Sequence, residues 1–160
     1  MIIFARALSY QNLRAMRDVV IEDPTTVIIS ILDTRPTSPD YEPIYAEADG
    51  PKVYRFRFDD YGTVPEDEQL RLDAFDFKQA ERMYRAIELA HRSPDRINLV
   101  VHCGAGVSRS GAVVSFVQQY ASLPWAEFSE MNPQIHPNQL VLRTLKEVSG
   151  LLREQEGAWK

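Results

Sequence analysis

A short hydrophobic strand that runs directly into a loop of small residues constrains this chain more than any other feature. The strand is predicted over Ile97–Val101, and residues 102–111 then read His-Cys-Gly-Ala-Gly-Val-Ser-Arg-Ser-Gly. A helical pattern follows over Arg109–Ala121, where apolar residues recur at helical spacing. Such a junction leaves unpaired N–H groups at the start of the helix, where the helix dipole adds partial positive charge. The feature predicts a layered α/β fold with room for a tetrahedral oxyanion such as phosphate.

The rest of the chain alternates between patterns typical of strands and of helices. Strands are predicted over residues 2–8, Thr26–Leu32 and Lys52–Phe58, and helices over Tyr10–Val20, Asp73–His91 and Asn138–Glu154, with Ser9 and Asp73 as N-caps of the first two helices. Residues 33–51 and Asp59–Leu72 contain prolines or glycine and are predicted as irregular connections. This order predicts a central, mostly parallel sheet flanked by helices, in a single domain over residues 1–160.

Composition excludes several classes of function. The formal net charge is −5, from 18 basic and 23 acidic residues, which argues against a partner such as nucleic acid or an anionic membrane. No apolar run approaches the ~20 residues that span a bilayer, and the N-terminus does not resemble a signal peptide. A single cysteine allows no intramolecular disulfide, so we expect the protein to lie in a reducing compartment, the cytoplasm. By default we expect a monomer.

The loop brings a thiol, free backbone amides and a guanidinium into one small volume. A thiol there should ionise readily, because nearby positive charge favours the thiolate, and a thiolate beside a phosphoryl group is a nucleophile. We therefore expect Cys103 to attack phosphorus, Ser110 to hydrogen-bond the sulfur, and His102 to order the loop. A carboxylic acid on another loop should protonate the leaving oxygen. The expected phosphate-binding residues are Gly104, Ala105, Gly106, Val107, Ser108 and Arg109.

Other interpretations of the loop fit the residues less well. A dinucleotide-binding loop would need glycine where Arg109 stands, and a nucleotide-binding P-loop would need a lysine. A lone cysteine usually serves as a small buried residue of the core. That role does not explain why His102, two glycines and an Arg-Ser pair surround this cysteine. An arsenate reductase would need further cysteines to relay electrons.

Residues 102–110 resemble the His-Cys-x-x-Gly-x-x-Arg-Ser signature of the cysteine-dependent protein tyrosine phosphatase superfamily. Residues 132–138, Asn-Pro-Gln-Ile-His-Pro-Asn, are similar to the Arg-Pro-x-Ile-x-Pro-Asn segment of dual-specificity phosphatases, with Asn132 in place of arginine. The resemblance covers residues 53–150 best. It implies the fold of the compact dual-specificity group, Cys103 as nucleophile, Arg109 as phosphate ligand, Ser110 as an aid to cysteine release, and neither metal nor organic cofactor.

The resemblance places the general acid after a strand upstream of the signature loop. Strand alternation favours Asp60, because it continues the face of Phe56 and Phe58, and leaves Asp59 and Asp67 as alternatives.

The loop interior has no lysine and no second arginine, which favours a phosphate monoester on a protein or small aryl group as substrate. We expect phosphotyrosine as the substrate, and phosphoserine or phosphothreonine is an alternative. The alternatives are a catalytically silent phospho-ligand binding module and a phosphatase acting on a phosphoinositide.

Overall fold

A computed structural model describes residues 1–46 and 52–157. Four strands form its sheet: β1 (Ile2–Ser9), β2 (Thr26–Leu32), β3 (Val53–Arg57) and β4 (Ile97–Cys103). Their spatial order is β1-β4-β2-β3, and all three neighbouring pairs are parallel. Parallel strands need crossover connections. Helices lie in the connections from β1 to β2 and from β3 to β4, whereas the described part of the connection from β2 to β3 has no helix. The α/β fold with a parallel sheet flanked by helices is confirmed.

Seven helices lie in the described part of the chain. They are α1 (Tyr10–Ala15), α2 (Arg17–Glu22), α3 (Glu68–Arg71), α4 (Phe77–Arg92), α5 (Arg109–Tyr120), α6 (Trp125–Met131) and α7 (Gln139–Gly157). α5 packs on β1, β4 and α7, and α7 also packs on α4. None of these helices is both long and apolar enough to cross a bilayer.

The two faces of the sheet bury two hydrophobic clusters of very different size. Along β4, Leu99, Val101 and Cys103 belong to the larger cluster, which includes residues of α4, α5 and α7. Val100 belongs to the smaller cluster, beside Leu13 of α1. This alternation follows from the two-residue period of a strand, and burial on both faces explains why β2 and β4 are almost entirely apolar.

The sheet register brings the carboxyl ends of three strands together. Cys103 pairs with Ser9, the last residue of β1, while His102 pairs with both Leu8 of β1 and Ser30 of β2. In open parallel sheets ligands bind beyond the carboxyl ends of the strands, where the connecting loops converge. The loop after β4 therefore lies beside the loops after β1 and β2.

Several predicted boundaries are wrong. The helix predicted over Tyr10–Val20 is divided at Met16, where φ and ψ of −112° and 15° end α1. The N-cap of α4 is Asp76 rather than Asp73, because Asp76 and Gln79 form a reciprocal capping box. The predicted connection Asp59–Leu72 contains α3, and α6 was not predicted.

Other predictions hold. Ser9 caps α1 by accepting a hydrogen bond from the Asn12 N–H at 3.1 Å. Residues 33–46 contain neither helix nor strand, as expected. The remainder of that predicted connection, residues 47–51, lies outside the described residues.

Candidate active site

Cys103 ends β4 and lies at the floor of the loop that follows. Its side chain is almost completely buried, and its Sγ lies 3.1 Å from the hydroxyl of Ser110. Ser110 stands in the first turn of α5, so the helix start presents this hydroxyl directly to the sulfur. The structure thus brings together the predicted nucleophile and the residue predicted to assist it.

The carbonyl groups of the loop are held from outside it. Gly104 O accepts from the Tyr10 N–H at 2.9 Å, and Gly106 O accepts from Gln134 Nε2 at 3.1 Å. The backbone N–H groups of His136 and Asn138 donate to Val107 O and Ser108 O at 2.9 and 3.0 Å. Because a peptide unit is planar and trans, its N–H points opposite to its C=O. The N–H groups after these carbonyls are therefore turned toward the loop interior, as an anion nest requires.

Gly106 makes the close approach between this loop and β1 possible. Its φ is +72°, a left-handed conformation that residues with a Cβ rarely adopt. A Cβ there would lie 2.5 Å from the Ser9 nitrogen and 2.6 Å from the Leu8 carbonyl carbon. The position thus requires glycine for both conformation and space.

The Arg109 side chain is turned inward, with 8% of its surface exposed. Its Nη1 donates to Phe58 O at 2.8 Å and pairs with Asp33 Oδ1 at 2.7 Å. Its Nε is buried and has no hydrogen-bond partner among the described residues. One corner of the guanidinium is therefore fixed, while the Nε–Nη2 edge can bind two oxygens of one phosphate.

His102 is fully buried below the loop and orders its backbone. Its Nδ1 lies 3.2 Å from Cys103 O, which can only accept, so Nδ1 donates. Its Nε2, 2.6 Å from Ser30 Oγ, must then accept from that hydroxyl. Burial lowers the pKa of His102 to about 4, so the ring is neutral near pH 7. These contacts support the predicted role of ordering the loop.

Asp60 stands at the rim of the loop. Its Oδ1 accepts from the Ser108 hydroxyl and from Asn138 Nδ2, each at 2.7 Å. Asn138 also donates to Tyr61 O at 2.9 Å, and its Oδ1 caps α7 by accepting from the Val141 N–H at 3.0 Å. Asn138 therefore links three parts of the chain: the loop of residues 59–61 (the acidic loop), the loop of residues 104–108 (the predicted phosphate loop) and α7.

The two alternative acids are engaged elsewhere. Asp59 accepts from the backbone N–H and the hydroxyl of Thr34 at 3.0 and 2.8 Å. Asp67 caps α3 by accepting from the Gln69 N–H at 2.8 Å. Of the three candidates, Asp60 is the one hydrogen-bonded to a residue of the loop.

A cavity of about 430 Å³ opens at this edge of the sheet. It is lined by Asp33, Arg35, Thr37, Ser38, Asp59, Asp60, Tyr61 and Arg109.

Three residues of the site had no predicted role: Asp33, Gln134 and Asn138. Asp33 had a detectable signal, because it directly follows the buried strand β2 and so lies at the edge where β4 also ends.

No protein-family model matches the sequence, and no curated protein matches it either. Solved structures do match. Tk-PTP in its active form has a TM-score of 0.51 and 23% identity, over 90% of this chain and 88% of that chain. Human DUSP28 has a TM-score of 0.51 and 18% identity, over 94% of both chains. PTPMT1 in complex with PI(5)P has a TM-score of 0.52 and 16% identity, over 94% of this chain and 91% of that chain. The chain has the fold of the protein tyrosine and dual-specificity phosphatases.

The phosphatase fold confirms the architecture that the signature residues implied. At 16–23% identity the matches show the fold, and the roles of individual residues depend on the geometry of this chain's own loop.

Proposed function

We propose that this protein is a phosphoric monoester hydrolase that acts on phosphotyrosine in proteins through a cysteinyl-phosphate intermediate at Cys103. One observation carries the proposal: the carbonyls of Gly104, Gly106, Val107 and Ser108 are all bound from outside the loop. This arrangement turns the intervening amides toward the loop interior, where they would stabilise an oxyanion. The phosphatase fold supports the same conclusion.

In the first step the Cys103 thiolate attacks phosphorus, forming an S–P bond while the ester P–O bond breaks. The Nε–Nη2 edge of Arg109 and the loop amides bind the non-bridging oxygens, whose charge they stabilise in the transition state. Because Nη1 is held by Phe58 O and Asp33, the guanidinium needs no reorientation to do this.

Asp60 would donate the proton that the leaving oxygen takes up. Its Oδ1 already accepts two hydrogen bonds, so the transferable proton resides on Oδ2. Ser108 and Asn138 thereby fix the carboxyl group with one oxygen toward the protein and the other free to meet the substrate.

In the second step water attacks the phosphoenzyme, and the Asp60 carboxylate accepts a proton from that water. The S–P bond breaks and the electron pair returns to sulfur. The Ser110 hydroxyl, 3.1 Å from Sγ, donates to the departing thiolate and makes it a better leaving group. Inorganic phosphate is released and the enzyme is restored.

Hydrolysis of p-nitrophenyl phosphate by the wild type and Cys103→Ser tests the nucleophile. We expect turnover by the wild type, a loss of at least about 10³-fold in Cys103→Ser, and phosphate binding by both. Appreciable turnover by Cys103→Ser would refute the assignment. Binding of a phosphotyrosine peptide by the wild type without release of nitrophenol would instead support the silent binding module.

A series of aryl and alkyl phosphates with leaving groups of increasing basicity tests the acid. Asp60→Asn should lose about 10²–10⁴-fold in kcat/KM, which reports the first step, for the basic leaving groups and much less for p-nitrophenyl phosphate. Asp59→Asn and Asp67→Asn are the matched controls. If either control shows this dependence while Asp60→Asn does not, the assignment of Asp60 is wrong.

A further inference from the structure

The loop that follows β2 carries two carboxylates to the mouth of the phosphate site. Asp33 and Asp40 lie at its two ends, where the Asp33 N–H donates to Asp40 O at 3.3 Å. Arg57 fastens the loop, since its Nη1 donates to Asp33 O at 2.6 Å and Tyr41 O at 3.0 Å and its guanidinium lies 4.0 Å from the centre of the Tyr41 ring. The backbone that carries the two carboxylates is therefore held in place by interactions that do not involve substrate.

Asp33 neutralises the one cation of the phosphate loop. Its Oδ1 pairs with Arg109, and its Oδ2 accepts from Ser38 Oγ at 2.6 Å. Burial alone would raise the pKa of Asp33, but the Ser38 hydroxyl and the Arg109 guanidinium outweigh it and lower that pKa. Arg109 thus offers a phosphate its two-donor edge without a full excess positive charge.

Asp40 stands beside the same loop without an ion pair to Arg109. A Cβ built on Gly104 would lie 2.6 Å from Asp40 Oδ2 and 3.5 Å from Arg109 Nη2, so this carboxylate and this guanidinium flank one point of the loop. Burial, reinforced by the charge of Asp33, raises the pKa of Asp40 against the opposing effect of Arg109. Asp40 therefore lies beside Gly104 and Arg109, two of the residues that we expect to bind phosphate.

The charges around the cavity are unbalanced. Its lining contains three carboxylates, Asp33, Asp59 and Asp60, against the guanidiniums of Arg35 and Arg109. Asp40 adds a fourth carboxylate at Gly104. A phosphoryl group inside the loop is shielded by amides, whereas any further anionic group of the substrate would lie among these carboxylates.

We propose that Asp33 and Asp40 are specificity-determining residues that select phosphotyrosine segments with cationic flanking residues and reject substrates with additional anionic groups. This inference rests on the proposed phosphatase function and names its substrate class. A polyphosphorylated inositol headgroup is disfavoured for the same reason as an acidic peptide. The loop interior has no positive charge beyond that of Arg109, and the carboxylates just outside the loop add negative charge around it.

Two peptides that differ only in flanking residues test the proposal: phosphotyrosine between lysines, and the same peptide with glutamates. At pH 7.5 and low salt we expect the wild type to prefer the lysine peptide roughly tenfold in kcat/KM, and the preference to shrink as salt is raised. Asp40→Asn should reduce the ratio to about threefold. Glu81→Gln, which removes an equal charge from the exposed face of α4, should leave it near tenfold.

The same ratio can be measured as peptide dissociation constants with Cys103→Ser, so the test does not depend on turnover. A ratio near one, or an equal change in Asp40→Asn and Glu81→Gln, would overturn the inference. Hydrolysis of p-nitrophenyl phosphate, measured alongside, reports the proposed function separately, because that substrate has no flanking groups. A soluble inositol bisphosphate that competes better than the lysine peptide would also overturn it.

Discussion

Replacement of Asn138 by alanine perturbs the residue that joins the acidic loop to the last helix. The side chain is 5% exposed, caps α7 through Oδ1 and donates through Nδ2 to Asp60 and Tyr61 O. Loss of an N-cap costs about 1 kcal/mol, and each lost buried hydrogen bond costs about as much. The sum, about 3 kcal/mol, corresponds to a thermal midpoint roughly 10 °C lower for a chain of this length.

Kinetics should change selectively in Asn138→Ala. Asp60 retains its bond to Ser108 but loses its second anchor, so the carboxyl group is positioned less well. We expect kcat/KM, which reports the first step, to fall about tenfold for substrates with basic leaving groups and to change little for p-nitrophenyl phosphate, which needs no proton in that step. Thermal denaturation and the leaving-group series measure the two effects.

Two variants separate capping from positioning. Asn138→Ser keeps a capping oxygen without the amide donors, so it should recover about 1 kcal/mol of stability and none of the kinetic loss. Gln139→Ala changes the exposed neighbour and should do neither. If Asn138→Ala matches Gln139→Ala in thermal midpoint and in leaving-group dependence, the contacts of Asn138 contribute neither to stability nor to the position of Asp60, and the reasoning is wrong.

Three further outcomes are expected. Gly106→Ala should lose measurable phosphate binding by isothermal titration, because a Cβ meets the β1 backbone at 2.5 Å, whereas Gly62→Ala, with nothing within 4 Å, should bind normally. The folded state holds the pKa of His102 near 4, below the 6.5 of an unfolded histidine, so stability to denaturant should fall by up to about 3 kcal/mol as pH drops from 6.5 to 4. His102→Asn should flatten that slope, while the same change at the exposed His136 should not. Mass spectrometry should find that peroxide converts Cys103 to sulfenic acid or a backbone sulfenamide, or to a mixed disulfide when a small thiol is added, since the chain has no second cysteine; an unmodified thiol would contradict a reactive thiolate.

Local sequence patterns predicted well the elements that carry the candidate site. The strand predicted over Ile97–Val101 and the helix that begins at Arg109 follow from hydrophobic periodicity, which is strong where an element is buried on both faces; the structure extends the strand to Cys103. The preference for Asp60 over Asp59 as general acid follows from strand alternation and stays a prediction; the structure places Asp60 in contact with Ser108. Both Asp73 and Asp76 suit a helix start, and only the reciprocal bond with Gln79 decides between them.

Contacts made through irregular segments could not be predicted in the same way. Asp40 reaches Gly104 across a proline-rich connection that has no periodicity to fix its direction. Asn138 was included in a recognisable segment, yet its bond to Asp60 spans 78 residues of sequence. Such contacts depend on how loops from different strands converge, which the alternation of helices and strands does not specify.

The proposed phosphate site is compatible with an acidic protein because the proposed binding groups are mostly dipoles. The cation of the loop, Arg109, is paired with Asp33, so the net charge contributed by that pair is near zero. What remains is a ring of N–H groups whose direction is set by Tyr10, Gln134, His136 and Asn138 from outside the loop. Dipoles fixed in this way favour an anion of the right shape over any anion of sufficient charge. The contacts that orient the loop should therefore affect phosphate affinity as strongly as the charge of the arginine itself.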